Sequence, residues 1–209
     1  SKGEASEWVL STPSYPELAT YSLQVSGIKL PKCTEYAHRL IRYPYGCLEQ
    51  TVSKGMGQLY LDEVIDLSSV EIQAIQYHLQ EALNRLSSFL GADGRLNQWS
   101  GSSYYHSWSA AYAGYFLLEA RNKRLNIPEG LLDQWQKNQT NEANKWNVSG
   151  ASNKRLQIRE EQVHAFRLFL LAKSGAPALG AMNRLSQGAT DNYLTAILLA
   201  GAYQLASYE

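Results

Sequence analysis

The chain has 209 residues, the length of one domain or of one domain with a piece of another. Nineteen Lys and Arg balance nineteen Asp and Glu, so nothing marks nucleic acid or an anionic membrane as a partner. Apolar residues make up 44% and charged residues 18%, ordinary values for a soluble globular protein, and no apolar run approaches the ~20 residues of a membrane span.

The first residues, SKGEASEWVL, lack the basic start and apolar middle of a signal peptide, although a mature secreted form would read the same way. Residues 1–31 contain β-branched and aromatic residues with Gly and Pro punctuation. Tyr21 to Val25 alternates like a half-buried strand, so this segment is expected to be strand-like, with a helical domain over 32–209.

From Thr34 the pattern is helical. Glu35–Arg42 is the first predicted helix, stopped by Pro44, and Cys47–Leu61 is the second. Ser69–Leu90 is the third, with Ser69 as N-cap and apolar residues at three- and four-residue steps from Ile72 to Leu90. GADGRLNQWSGSS is a turn-rich connection. Ser107–Lys123 follows, then Pro128–Lys137 with Pro128 as the first helical residue. Lys137–Arg159 is polar and reads mostly as a surface loop. Glu160–Lys173, Ala178–Ser186 and Thr190–Ala206 complete the set.

Three helices carry an apolar triplet: Phe116-Leu117-Leu118, Phe169-Leu170-Leu171 and Ile197-Leu198-Leu199. Each lies in a helix that is apolar nearly all round, which implies burial on most sides, while the helices between are amphipathic. That alternation describes stacked αα-hairpins in an inner and an outer layer, an all-α toroid or solenoid. A complete six-hairpin toroid needs about a dozen helices, more than this chain supplies.

The stretch YPYGCLEQTVSK, Tyr43 to Lys54, carries the chemistry. Gly46 permits a tight turn into the helix, and Cys47 is expected in its first turn, where the helix dipole favours a thiolate. Gln50 at i+3 shares that face. A thiolate beside a carboxamide can displace ammonia and close a thioester ring. An amine or hydroxyl can then attack the acyl carbon of residue 50 and become attached. Water must be kept out meanwhile, a covering role that suits Tyr43, Pro44 and Tyr45. The plainer reading of Cys47 is an inert buried thiol.

Cys33 and Cys47 do not make a disulfide framework, although they can pair with each other, and no Cys or His group has zinc-site spacing. No metal or cofactor is called for. His38, His78 and His106 read as surface or capping residues, and Glu49 as a solvated charge in the first turn. Asn138-Gln139-Thr140 and Asn147-Val148-Ser149 are sequons that matter only in a eukaryotic secretory pathway.

YPYGCLEQT resembles the thioester motif of α2-macroglobulin-type proteins, in the form typical of bacterial members. GADGRLNQWSGSSYYHSWSAAYAGYFLLEARNKRLNIPEG is similar to the family's third-helix region, and QVHAFRLFLLAKSGAPALGAMNRL to its fifth and sixth helices. The resemblance covers about residues 40–185, in the family's order. It implies an α/α-toroid thioester domain adjoining a β-sandwich, with Cys47 and Gln50 as the thioester pair. Tyr43, Pro44, Tyr45, Gly46, Leu48 and Glu49 form its surroundings, with Trp99 and Tyr104 as shielding candidates. It further implies a periplasmic or extracellular parent chain, associated with the cell envelope, that captures target proteases covalently through lysine amines. Related domains that prefer hydroxyl targets carry a histidine in the loop before the fifth helix. The stretch Asn138 to Arg159 has none, which implies direct reaction with amines.

Two other functions remain open on the residues. One is a docking module whose thioester is unused. The other is a glycan-cleaving toroid enzyme, which needs a facing pair of carboxylates, and Asp93, Glu119, Asp133, Glu160 and Glu161 show no obvious arrangement of that sort in the sequence.

Overall fold

The computed structural model describes residues 33–147, 153–188 and 192–207. The segment 1–31 and the strand expected at Tyr21 to Val25 lie outside the described residues. Within them are eight α-helices: α1 (Cys33–His38), α2 (Leu48–Leu59), α3 (Ser69–Leu86), α4 (Ser107–Asn122), α5 (Leu131–Lys145), α6 (Lys154–Lys173), α7 (Leu179–Gly188) and α8 (Tyr193–Ala206). Two short 3-10 turns, Leu61–Glu63 and Ser87–Phe89, follow α2 and α3.

The helices form two rows. α2, α4, α6 and α8 pack side by side in that order. α3 lies on α2, α5 on α4 and α6, and α7 on α5, α6 and α8. These are the layers of an α/α toroid of stacked hairpins. Their composition explains the division. α4 buries ten of its sixteen residues, including Phe116, Leu117 and Leu118. α3 buries only the stripe Ile75, Leu79, Ala82, Leu83 and Leu86.

Close approach within and between the rows depends on small residues. A Cβ on Gly55 of α2 would stand 2.6 Å from the Phe116 ring of α4. One on Gly114 of α4 would stand 1.9 Å from Trp135 of α5. Trp135 is 1% exposed, and its indole N–H donates to the Ala110 carbonyl at 2.9 Å, so its polar atom is satisfied inside the core. A buried charge is also paired. Lys173 of α6 donates to Glu119 of α4 at 2.5 Å, and the Tyr60 hydroxyl donates to the same carboxylate. Burial would raise the Glu119 pKa, but the bonds from Lys173 and Tyr60 outweigh it and hold the carboxyl below its usual range. Tyr60 in turn is pushed up to about 12 by its bond to Glu119 and by burial.

Several sequence expectations are corrected. α3 starts one residue earlier than expected in capping terms: its N-cap is Ser68, whose hydroxyl accepts from Glu71 N at 3.4 Å while the Glu71 carboxylate takes Ser68 N–H at 2.9 Å. Pro128 does not open α5. Its carbonyl accepts from Leu131 N in a turn, and Gly130, in the left-handed region at φ 70°, is the N-cap. The expected loop over Lys137–Arg159 is largely helical, because α5 runs to Lys145 and α6 begins at Lys154. The polar residues that suggested a loop are tied inward. Asn138 Nδ2 donates to the Gly94 carbonyl at 2.5 Å, and the Gln139 Oε1 accepts from Arg167 at 3.0 Å. Asn138 is thus buried rather than presented for glycosylation. α8 is apolar all round as read, yet Tyr193, Leu194 and Ile197 are 87%, 50% and 68% exposed. Among the described residues it ends the inner row, so only one flank meets an inner-row neighbour. No described helix is long and apolar enough to cross a membrane.

Candidate functional site

Cys47 is a free thiol, 6% exposed, at the start of α2. It is the N-cap, with extended backbone at φ −73° and ψ 174°, rather than a residue of the first turn. The local logic is a capping box with cysteine in the place of the usual serine or threonine. The Cys47 side chain lies over the backbone N–H of Gln50, and the Gln50 carboxamide oxygen reaches back to accept from Cys47 N at 3.2 Å. The i,i+3 spacing therefore does more than place the two side chains on one face. It folds the carboxamide back onto the residue that carries the sulfur.

Gly46 makes room for this. Its φ is 121°, which only glycine adopts readily, and a Cβ there would stand 2.2 Å from Gln50 Oε1. The Gly46 carbonyl accepts from Arg85 Nη2 of α3 at 3.3 Å. Pro44 is buried, and its carbonyl accepts from the buried Thr51 hydroxyl at 3.3 Å. Leu48 is fully buried in the core, anchoring the first turn, and its N–H donates to the Gln98 carbonyl at 2.9 Å.

The aromatic residues divide. Tyr43 is half-buried, donates to Glu81 Oε2 at 2.9 Å, stacks on Tyr45 and meets His78 edge-on. Its bond to Glu81, with a smaller contribution from burial, raises its pKa. Tyr45 is 63% exposed, with Lys54 Nζ 3.7 Å from its ring centroid. Trp99 and Tyr104 are 54% and 60% exposed. Tyr104 contributes through its backbone, its carbonyl accepting from Gln98 N at 2.8 Å.

The side chain that reaches the sulfur from this loop is Gln98. Its Nε2 donates to Cys47 Sγ at 3.4 Å. Sequence reasoning missed it, along with Arg85 and Thr51. The signal was only its place beside Trp99 in the turn-rich connection, since a lone glutamine in a loop has no pattern. Glu49 is half-buried rather than fully solvated, with Ser109 Oγ 3.5 Å from its carboxylate and His106 Nδ1 2.8 Å from that hydroxyl. The sulfur is thus covered while Gln50 is exposed.

His164 lies within α6 as read, 1% exposed, stacked on Trp146 at 4.1 Å. Burial, then the nearby Arg167 and Arg184, lower its pKa to about 3. Among the described residues no group of three or more His, Cys, Asp or Glu side chains is placed to hold a metal ion. Of the carboxylates a glycan-cleaving site would draw on, Asp93 is bound to Arg95 at 2.6 Å and Glu119 to Lys173 and Tyr60.

The family model described as the A-macroglobulin TED domain matches residues 19–155. The chain belongs to this family. It is 30% identical to the alpha-2-macroglobulin of Xylella fastidiosa over 124 residues, 57% of this chain and 8% of that protein. It superposes on native Escherichia coli alpha-2-macroglobulin, solved from domain MG7 to the C-terminus, with a TM-score of 0.68 at 21% identity, covering 83% of this chain and 28% of that one. The same E. coli protein in its trypsin-activated form gives 0.58 at 18% identity, over 80% and 14% of the two chains. Salmonella alpha-2-macroglobulin reacted with methylamine gives 0.67 at 20% identity, over 83% and 12%. These likenesses show the fold, and the chain corresponds to about a tenth of its curated relatives' length.

Proposed function

We propose that Cys47 and Gln50 form an internal thioester, and that this domain is the single-use acyl donor of a protease-trapping α2-macroglobulin. The observation that carries the reading is the reciprocal cap. Gln50 Oε1 sits 3.2 Å from Cys47 N over a glycine that leaves room for it. In the first step the thiol adds to the Gln50 carboxamide carbon, the C–N bond breaks, and ammonia departs with the thiol proton. In the second an amine attacks the same carbon, the C–S bond breaks, and its electron pair returns to Cys47 Sγ. The donor is consumed once, so this is not turnover catalysis.

Several observations support amines as the acceptors. The stretch Asn138 to Arg159 contains no histidine, and His164 is buried in α6. A histidine relay toward hydroxyl targets therefore has no candidate there. The Salmonella relative was solved after reaction with methylamine, and the E. coli relative in a trypsin-activated form. Protease lysines are the corresponding targets of this chain. The parent protein supplies the protease-sensitive trigger, and the exposed apolar face of α8 suits docking within that parent. The family resemblance supports a periplasmic or extracellular setting at the cell envelope.

The test is the pH dependence of thiol release with methylamine and with glycerol. Direct aminolysis rises about tenfold per pH unit while the amine is mostly protonated. A pH-independent rate, or glycerol outpacing methylamine, contradicts the amine reading.

A further inference from the structure

We propose that Gln98 stabilises the departing Cys47 thiolate, and so sets how fast the thioester transfers its acyl group; this rests on the thioester reading above. Its Nε2 donates to Cys47 Sγ at 3.4 Å, on a sulfur that is 6% exposed. A thioester sulfur is a poor hydrogen-bond acceptor, whereas a thiolate is a strong one. The same N–H therefore does more for the transition state than for the resting thioester, which is the condition for accelerating the step. The electron balance puts the need at this atom. The amine lone pair forms the C–N bond at residue 50, the C–S pair moves to Sγ, and the amine's proton passes to the sulfur or to solvent.

The carboxamide is preorganised by its own backbone. Gln98 N donates to the Tyr104 carbonyl at 2.8 Å, and the Gln98 carbonyl accepts from Leu48 N at 2.9 Å, the second residue of the Cys47-Leu48 pair. The loop is held behind it by an isolated antiparallel bridge between Leu90 and Leu96, with Asn97 N donating to the Phe89 carbonyl at 2.9 Å. Gln98 Oε1 is buried without a partner. An orphaned carbonyl oxygen is a cost, so the carboxamide is not oriented to satisfy itself. It is oriented with its donor on the sulfur.

The experiment compares this chain with Gln98→Met, of similar size without a donor, and Gln98→Glu, of the same shape with a negative charge. Two quantities are read: the methylamine rate constant for thiol release, and the pH at which ultraviolet thiolate absorbance appears in the free-thiol form. For Gln98→Met the rate is expected to fall on the order of tenfold, the loss of one hydrogen bond to a charged group, and for Gln98→Glu further. The thiolate signal is expected to move to higher pH in both. Unchanged rates and unchanged titration, with only thermal stability or thioester yield altered, would overturn the proposal in favour of a purely structural glutamine. If the wild type carries no thioester, the function above fails, yet the thiolate titration still decides the role of Gln98.

Discussion

A Cβ on Gly46 would stand 2.2 Å from the carboxamide oxygen of Gln50, and the backbone at Gly46 sits at φ 121°. The approach of the Gln50 carboxamide to Cys47, which the proposed thioester requires, is thus gated by a residue that takes no part in the chemistry. Gly46→Ala meets two penalties, backbone strain and the displaced carboxamide. The prediction is a folded protein, losing about 1–3 kcal/mol, in which the Cys47–Gln50 bond does not form. Intact mass and circular dichroism check this together. A Gly46→Ala protein that still lacks one ammonia would refute the gating role.

His164 makes the fold sensitive to acid. Its folded pKa of about 3 is depressed from the ordinary 6.5, chiefly by burial. Between those values the unfolded chain holds one more proton than the native state, so stability falls as pH drops, by about 1.4 kcal/mol per unit. From pH 7 to pH 5 this group alone removes about 2 kcal/mol. Urea unfolding at the two pH values should show that loss, and His164→Gln should show it reduced by about that amount. An identical loss in the variant would assign the acid sensitivity elsewhere.

Gly114 and Trp135 set the distance between α4 and α5. Any Cβ at Gly114 falls 1.9 Å from the indole, and the Trp135 N–H is fixed on Ala110, so the ring cannot easily withdraw. Gly114→Ala is expected to cost about 3 kcal/mol through overpacking, lowering the thermal midpoint by several degrees. Gly101, at φ 72° with no atom within 4 Å of a Cβ, is the control. Gly101→Ala carries only backbone strain, about 1 kcal/mol. Equal losses at the two sites would show that packing against Trp135 is not the cause.

Much of this fold was legible because its helices announce themselves by period. The triplets at Phe116, Phe169 and Ile197 marked α4, α6 and α8 as one layer, and the structure places them side by side with α2. Polar residues with buried partners hid the rest. Asn138 and Gln139 look like loop residues until the partners, Gly94 and Arg167, are known, and those are distant in sequence. At the site, the motif YPYGCLEQT singled out Cys47 and Gln50, and the structure brings the Gln50 carboxamide oxygen back to Cys47 N, over a Gly46 whose role its residue type suggested. The reciprocal cap was not, since cysteine is not the expected N-cap. The covering of the sulfur was expected from Tyr43, Pro44 and Tyr45 beside the motif and, through the family resemblance, from Trp99 and Tyr104, yet Tyr45, Trp99 and Tyr104 are largely exposed, and a contact to the sulfur comes from Gln98, a residue later in the chain by about half a hundred positions. Loop contacts of that kind follow from tertiary structure and leave no local pattern.

The most direct test of the central claim is the mass of the protein and of its Cys47 and Gln50 peptides, with and without methylamine, alongside thiol labelling. The account predicts a protein one ammonia lighter than its sequence, with Cys47 unlabelled until methylamine adds at residue 50. Glu at residue 50 would record a thioester that formed and was hydrolysed. Unmodified Gln50 beside a freely labelled Cys47, in this chain and in its full-length parent, would contradict the account.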